Sequence, residues 1–279
     1  MKFAEAFAAL ARHRAIDRPT MRAAFDAILR GEWTAVQTGA FAAALRALGA
    51  ESEEAIAAGA EAMREAMTPV MHSHAVVLDT CGTGGDGAGT LNISTAAALV
   101  AAACGVVVAK HGNRSVSSQS GSADVVESLG IPLDLSPEQQ SQLLSEVGIA
   151  FLFAPAHHPA LKHAAQARRE LGVRTIFNAL GPLANPARAS HQLLGVYDDA
   201  LRPVLARALG RLGVKRAWVV RAEDGLDEVS TEAPTRVSEL HEDGTVTELV
   251  IVSNEFGIAA NKGNSIEGTS SQENAKALE

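Results

Sequence analysis

The sequence lacks most features of secreted, membrane-bound or nucleic-acid-binding proteins. Two cysteines among 279 residues are too few for a disulfide framework. No apolar run reaches the roughly 18 residues that a membrane span needs, and no basic start with a long apolar core marks a signal peptide. Aromatic residues make up 4%, which disfavours the stacking platforms of a single-strand binder. These absences favour a reduced, soluble, cytoplasmic protein.

Positive charge is also scarce. Lysine and arginine total 24 against 32 aspartates and glutamates, a formal net charge of −8. Because neutralising a nucleic-acid backbone needs clustered cations, we expect no nucleic acid as partner. The lack of a long apolar run predicts no membrane partner either. Any anionic ligand must then be held by local groups. The length suits two ordinary domains.

The first 70 residues have the apolar spacing of helices. Phe3, Phe7 and Leu10 recur on one helical face, and Ser52 precedes two acidic residues as an N-cap would. The helix after Ser52 should stop before Thr68, which precedes a proline. We therefore predict a small all-helical domain at residues 1–70.

After about residue 75 short strand-like runs alternate with helical stretches. The runs lie at 75–80, 105–110, 149–154 and 216–222. This alternation predicts a mostly parallel sheet covered by helices, and residues 235–252 are typical of an antiparallel hairpin. The fold class is α/β, with the larger α/β domain at residues 75–279.

The loop CGTGGDGAGT at residues 81–90 has five glycines between a strand and a helix. Gly82, Gly84 and Gly87 satisfy the dinucleotide-binding pattern G-x-G-x-x-G. That pattern needs an acidic residue about 20 positions further on, whereas the second strand leads into KHGNR at 110–114. A cation there could serve only the NADP variant, so the dinucleotide hypothesis is weakened but stays open.

A phosphate ligand suits the loop better. A P-loop is excluded because Ala88 and Gly89, not Lys and Ser or Thr, follow Gly87. Glycines allow backbone N–H groups to approach an anion, and the helix start at 90–95 adds further donors. Asp86 would repel a bare phosphate, which indicates a hydroxyl, a cation or an amine nearby. With the polar loop KHGNRSVSSQSGS after the second strand, the sequence predicts a ligand with more than one phosphate group.

Two adjacent carboxylates follow the strand at 216–222. Asp227 and Glu228 suit a hard cation such as Mg²⁺, and Ser94 could add a hydroxyl. On its own the pair would more often be a solvated turn. The loops at 81–90 and 110–122, which we call the phosphate-type loops because both suit a phosphate ligand, favour a metal site instead.

Six segments together resemble the anthranilate phosphoribosyltransferase family, in one continuous order that extends to about residue 252. They are GTGGD (82–86), NIST (92–95), KHGNRSVSS (110–118), HHPA (157–160), RTIFNALGPLANP (174–186) and DGLDEVS (224–230). The resemblance implies transfer of phosphoribose from 5-phosphoribosyl 1-diphosphate (PRPP) to the amine of anthranilate, with Mg²⁺ as cofactor. It also implies a homodimer formed through the helical domain, to which residues from about 157 to 185 would contribute helices.

The resemblance assigns most polar residues of the two loops to ligands. The implied PRPP contacts are Gly82, Gly85, Asp86, Thr90, Asn92, Ile93, Ser94, Thr95, Lys110, His111, Gly112, Asn113, Arg114, Ser115, Val116, Ser117, Ser118 and Ser122. The implied anthranilate contacts are Gly82, Asn113, His111, His158, Arg168 and Pro182. The implied metal ligands are Ser94, Asp227 and Glu228. Lys110, Asp86 and Arg168 are the expected catalytic residues.

The C-terminal part departs from the family pattern. Residues 253–257 read SNEFG where a segment like PEDFG is expected, and the chain stops as SQENAKALE begins a helix. We expect a shortened C-terminal layer and a loose polar stretch at 261–272. Two other functions therefore stay open: a pyrimidine nucleoside phosphorylase, and a non-catalytic PRPP- or nucleotide-binding protein.

Overall fold

A computed structural model describes residues 1–115, 120–259 and 266–279. The predicted PRPP contacts Val116, Ser117 and Ser118 lie outside the described residues. The chain divides into two compact units. Unit 1 comprises Met1–Thr68 and His157–Ala184, and unit 2 comprises Pro69–Ala156 and Asn185–Glu279.

The described residues form α-helices and β-strands in the following chain order. The helices are α1 (Phe3–His13), α2 (Arg18–Leu29), α3 (Ala35–Ala47), α4 (Glu53–Ala66), α5 (Ile93–Ala103), α6 (Ser122–Ser128), α7 (Pro137–Glu146), α8 (Ala154–His157), α9 (Lys162–Leu171), α10 (Ile176–Leu180), α11 (Leu201–Arg211) and α12 (Ser271–Leu278). The strands are β1 (Leu78–Gly82), β2 (Val108–Gly112), β3 (Ile149–Phe153), β4 (His191–Gly195), β5 (Arg216–Ala222), β6 (Thr235–Leu240) and β7 (Val246–Ile251). None of these helices is long and apolar enough to cross a membrane.

Unit 1 is helical because its helices are capped locally and share an apolar core. The Asp17 carboxylate caps α2 by accepting the Thr20 N–H at 2.8 Å, and the Ser52 hydroxyl caps α4 by accepting the Ala55 N–H at 3.2 Å. The rings of Phe25 on α2 and Phe177 on α10 pack with centroids 5.5 Å apart.

Unit 2 is built on a seven-stranded sheet in the order β3-β2-β1-β4-β5-β6-β7. Pairing is parallel from β3 to β5 and antiparallel from β5 to β7. The predicted fold class, a helical N-terminal part with a mostly parallel α/β part, is confirmed. The sequence prediction missed β4, because its segment HQLLG has no β-branched residue to mark it as a strand.

The strand order reverses beside β1, which lies between β2 and β4. In open α/β sheets, ligands bind beyond the carboxyl ends of the strands at such a reversal. The glycine loop after β1, the polar loop after β2 and the turn after β5 all leave this edge, because these strands are parallel. The sheet therefore brings the three predicted ligand-binding segments to one edge.

The C-terminal segment of unit 2 contacts the glycine loop. Thr90 forms an isolated antiparallel bridge with Glu267, and the Leu91 N–H donates to the Ile266 carbonyl at 2.8 Å. The expectation of a loose stretch at 261–272 is wrong for residues 266–272, while 261–265 lie outside the described residues. The predicted helix in SQENAKALE is α12.

Candidate active site

The glycine loop turns sharply after the carboxyl end of β1. Gly84 and Gly85 have successive positive φ angles of 64° and 85°, which residues with a Cβ rarely adopt. The Thr80 hydroxyl donates to the Ser94 carbonyl at 2.8 Å and ties the first turn of α5 to the strand. The N–H groups of Ile93 and Thr95 bond to the carbonyls of Leu91 and Asn92, so the backbone donors suited to an anion are those of the glycine loop rather than those of the helix start.

Lys110 brings a buried cation to this loop from the neighbouring strand. Its side chain is 3% exposed, and its ammonium donates to the Thr80 carbonyl at 2.6 Å and to the Ser94 hydroxyl at 3.2 Å. Burial lowers the pKa of Lys110, and the charge of Asp79 chiefly opposes that shift. Lys110 thus lies beside the first turn of α5.

Three carboxylates converge opposite the lysine. The Asp227 N–H donates to the Asp86 carboxylate at 3.4 Å. Burial, followed by the charge of Asp86, raises the pKa of Asp227 to about 6. Burial, followed by the charge of Asp227, raises the pKa of Glu228 to about 8, although Lys110 opposes the shift. A divalent cation would remove this mutual repulsion.

Two glycines allow the turn after β5 that carries Asp227 and Glu228, here called the acidic turn, to pack closely on the sheet. A Cβ on Gly82 would lie 3.0 Å from Asp227 Oδ2, and a Cβ on Gly195 would overlap the Asp227 carbonyl oxygen. The turn after β5 therefore packs directly on the ends of β1 and β4. Sequence analysis missed Gly195, since its segment was not recognised as a strand.

The donor set fits Mg²⁺ better than a transition metal. Carboxylate and hydroxyl oxygens are the ligands of a hard cation. Burial, together with mutual repulsion, raises the pKa values of Asp227 and Glu228, which marks a place for positive charge. Among the described residues no group of three or more His, Cys, Asp or Glu side chains could by itself hold a metal ion. The remaining ligands would be water and phosphate oxygens, as is usual for Mg²⁺.

The second polar loop is anchored by an aspartate that sequence analysis missed. The Asp124 carboxylate accepts the Ser115 N–H at 3.2 Å and the Gly121 N–H at 2.9 Å. Arg114 donates to Asp124 at 2.8 Å and to Glu127 at 2.9 Å, and these carboxylates hold its pKa above the ordinary value. The charge of Arg114 is therefore directed toward α6, and its contact with PRPP stays a prediction.

The other predicted PRPP residues of unit 2 lie along the same loops. Asn92 is the N-cap residue of α5 and donates to the Ser120 carbonyl at 3.2 Å. The Ser122 hydroxyl donates to the Asn113 carbonyl at 3.3 Å. Thr95 is buried at 2% exposure within α5. The rest of this set lies at the ends of β1 and β2 or at the start of α5: Gly85, Thr90, Ile93, His111 and Gly112.

Three predicted anthranilate contacts, His158, Arg168 and Pro182, lie in unit 1. Arg168 lies over the Phe177 ring, 5.8 Å from its centroid, and in the described part of the chain it forms no ion pair. Burial lowers its pKa. Burial, followed by the charge of His157, lowers the pKa of His158 to about 4. Pro182 is buried.

Comparisons with known proteins agree with this geometry. The profile described as "Glycosyl transferase family, a/b domain" matches residues 74–279, and the one described as "Glycosyl transferase family, helical bundle domain" matches residues 4–67. The anthranilate phosphoribosyltransferase of Chromohalobacter salexigens is 51% identical over 258 residues, which cover 92% of this chain and 75% of that protein.

Solved structures give the same result. The crystal structure of anthranilate phosphoribosyltransferase from Thermus thermophilus matches with a TM-score of 0.87 and 41% identity, covering 95% of this chain and 78% of that one. The Saccharomyces cerevisiae enzyme in complex with PRPP and Mg matches with a TM-score of 0.85 and 30% identity, covering 94% and 75%.

Proposed function

The chain belongs to the anthranilate phosphoribosyltransferase family, and from this premise we propose that it transfers the phosphoribosyl group of PRPP to the amine of anthranilate. The products are N-(5-phosphoribosyl)anthranilate and diphosphate. The observation that carries the proposal within unit 2 is the convergence of Lys110 with Asp227 and Glu228 at the end of β1. A buried cation and a carboxylate pair suit a substrate that combines phosphates with a metal.

The reaction is a displacement at the anomeric carbon of ribose. The lone pair of the anthranilate nitrogen forms the new C–N bond, the C–O bond to diphosphate breaks, and diphosphate leaves with the electron pair. The amine then loses a proton to solvent. An aromatic amine is already a free base at neutral pH, so the chain needs no strong general base. Positioning and charge stabilisation therefore supply the catalysis.

The charge that develops on diphosphate requires fixed donors. Lys110 contributes an ammonium group, and the glycine loop contributes backbone N–H groups. Asp227, Glu228 and Ser94 would hold Mg²⁺, which neutralises the diphosphate when it is bound. Asp86, which accepts the Asp227 N–H, fixes the acidic turn at the glycine loop.

We propose that Arg168 receives the carboxylate of anthranilate. A planar guanidinium can pair with a carboxylate through two hydrogen bonds, and Arg168 has no acidic partner among the described residues. Its stacking on Phe177 limits the orientations of the side chain. Gly82, His111, Asn113, His158 and Pro182 stay predicted contacts of the same substrate.

We also propose a homodimer and a cytoplasmic location. Phe7 on α1 and Val36 on α3 are 36% and 78% exposed, which suits burial of the helical domain against a second copy. Sedimentation of the wild-type chain and of Val36→Glu tests the dimer, which the variant should weaken. Cys81 and Cys104 are unpaired, as is usual in a reducing compartment.

The activity is tested by following anthranilate fluorescence with purified protein, PRPP and Mg²⁺. We expect anthranilate to be consumed, and we expect chelation of Mg²⁺ to stop its consumption. Mg²⁺-dependent PRPP binding without consumption would instead indicate a binding protein. Phosphorolysis of uridine or thymidine would indicate a nucleoside phosphorylase, and either outcome contradicts the proposal.

A further inference from the structure

β1 and β2 separate before their carboxyl ends. β1 stays paired with β4 along its whole length, from Leu78 to Gly82. In the described residues its register with β2 contains the single pair Leu78↔Val108. We call the unpaired part, residues 79–82 of β1 and 109–112 of β2, the β1–β2 gap. The gap lies between the two strands whose loops are predicted to bind PRPP.

Buried side chains replace the missing ladder bonds. The Asp79 carboxylate accepts the His111 N–H at 3.0 Å, and the Asn185 amide donates to the Ala109 carbonyl at 2.8 Å. If the register continued, the His111 N–H and the Ala109 carbonyl would instead bond to the backbone of Thr80. The two side chains therefore occupy the hydrogen-bonding groups that would otherwise close the gap.

The third group at the gap belongs to the candidate active site itself. The Thr80 carbonyl, which a continued ladder would pair with β2, accepts from the ammonium of Lys110 at 2.6 Å. Backbone groups alternate sides along a strand, and the Thr83 N–H bonds to β4. Gly82 therefore directs its backbone N–H and carbonyl toward β2, and the described residues of β2 form no ladder pair with it.

The β1–β2 gap costs free energy compared with a ladder that continues to the ends of both strands. Asp79 is 0% exposed and Asn185 is 2% exposed, and burying a carboxylate costs free energy even when it is hydrogen-bonded. Burial raises the pKa of Asp79 to about 6, although Asn185, Lys110 and the His111 N–H oppose the shift. A continued ladder would satisfy the same backbone groups without either buried side chain. Departures of this kind from local rules concentrate at functional sites.

We propose that Asp79 and Asn185 are positioning residues that hold the β1–β2 gap open for PRPP. They keep Gly82 free to face the ligand and leave the Thr80 carbonyl available to orient Lys110. Neither residue touches PRPP. This inference rests on the proposed function for its substrate but not for its geometry.

The kinetic test compares Asp79→Leu and Asn185→Leu, which match the native side chains in size, with Asp79→Asn, which keeps an oxygen acceptor. We expect the KM for PRPP to rise roughly 10- to 100-fold in both leucine variants, the loss typical of removing groups that orient a ligand-binding side chain. The KM for anthranilate should stay unchanged. Asp79→Asn should restore a PRPP KM close to that of the wild type. Asn185→Leu tests the same claim should Asp79→Leu not fold.

Ser238→Ala is the control. Ser238 on β6 is also buried, at 0% exposure, and its hydroxyl accepts from the Arg202 guanidinium at 2.8 Å, in the antiparallel part of the sheet. The variant should lower the melting temperature without changing the KM for PRPP. An equal rise of that KM in Ser238→Ala and Asp79→Leu would overturn the proposal, because the effect would then be one of general stability.

A second measurement does not depend on turnover. In a crystal structure of the Asp79→Leu, Asn185→Leu double variant, we expect the ladder to extend so that Thr80 pairs with Lys110. A gap as wide as in the wild type would overturn the inference. If the wild-type protein transfers no phosphoribosyl group, the proposed function fails, while this structure still decides what holds the strands apart.

Discussion

At the scale of single residues, Arg168 is notable because no carboxylate among the described residues forms an ion pair with it. It lies on α9 beside Arg169. From the sequence alone the two arginines cannot be distinguished, because both could belong to a solvated helix face. Burial lowers the pKa of Arg168 and Phe177 lies beneath it, whereas Arg169 is exposed. A partly buried cation without a carboxylate partner is expected to bind an anion.

Arg168→Gln should therefore raise the KM for anthranilate. A hydrogen bond to a charged group contributes about 1.5–3 kcal/mol, so the rise should be about 10- to 150-fold. The KM for PRPP should stay near the wild-type value. Steady-state kinetics with each substrate varied in turn measures both constants. Arg169→Gln serves as the control, and an equal effect in the two variants would refute the assignment.

Asp227 and Glu228 give a second prediction at this scale. Asp227→Asn and Glu228→Gln preserve shape but weaken the metal ligands. Each should raise the Mg²⁺ concentration needed for half-maximal activity by at least about tenfold, since one ligand charge is lost. Titration of activity with Mg²⁺ at saturating PRPP measures the change. Glu232→Gln, at a position of the same turn, should leave the Mg²⁺ requirement unaltered; a similar shift there would argue against a specific site.

At the scale of secondary-structure elements, α12 is tied to the start of α5 through the buried side chain of Asn274. Asn274 is 1% exposed. Its amide donates to the side chain of Asn92 at 3.1 Å and its oxygen accepts the Thr269 N–H at 2.9 Å. Asn92 in turn donates to Ser120 on the second loop. The side-chain amides of Asn274 and Asn92 therefore connect α12 to the end of the first phosphate-type loop and to the second one.

Asn274→Ala should loosen this connection. Leaving buried partners unsatisfied costs about 1–3 kcal/mol, and we expect the KM for PRPP to rise while that for anthranilate is unchanged. Denaturant unfolding and steady-state kinetics measure the two effects. Lys276→Ala, on the exposed face of the same helix, is the control. An unchanged PRPP KM in Asn274→Ala would show that α12 stabilises unit 2 without positioning the loop.

At the scale of the whole molecule, stability depends on pH through buried histidines. The folded pKa of His158 is lowered to about 4 by burial, below its usual value of about 6.5 in the unfolded chain. The unfolded chain therefore binds more protons between these values. The contribution of His158 to stability is therefore fully present above about pH 6.5 and is lost as the pH falls toward 4.

His158→Gln should flatten this part of the stability profile of unit 1. Trp33 is the tryptophan of unit 1 and is buried, so its fluorescence reports unfolding there once Trp218 of β5 is replaced by phenylalanine. Urea unfolding between pH 7 and pH 4 is the measurement. The Trp218→Phe background should lose more stability on acidification than the same background with His158→Gln. Parallel profiles would mean that His158 is not the group that titrates.

The sequence by itself determined which segments form helices and which form most of the strands. It also pointed to most residues of the candidate site. Strand β5 and the hairpin β6–β7 could be predicted because their β-branched residues are local signals. The glycine loop, Lys110 and Asp227 with Glu228 could be found because each follows a strand in a recognisable pattern.

Tertiary structure decided what the sequence left open. β4 has no strong local preference and forms a strand because it lies between β1 and β5. Asp79 and Asn185 are 106 positions apart in the chain, and each resembles an ordinary polar residue until the strands bring both to the β1–β2 gap. The ion pairs of Arg114 with Asp124 and Glu127 of α6 could not be predicted for the same reason. Hydrogen bonds between distant segments leave no local pattern, because register and packing alone select their partners.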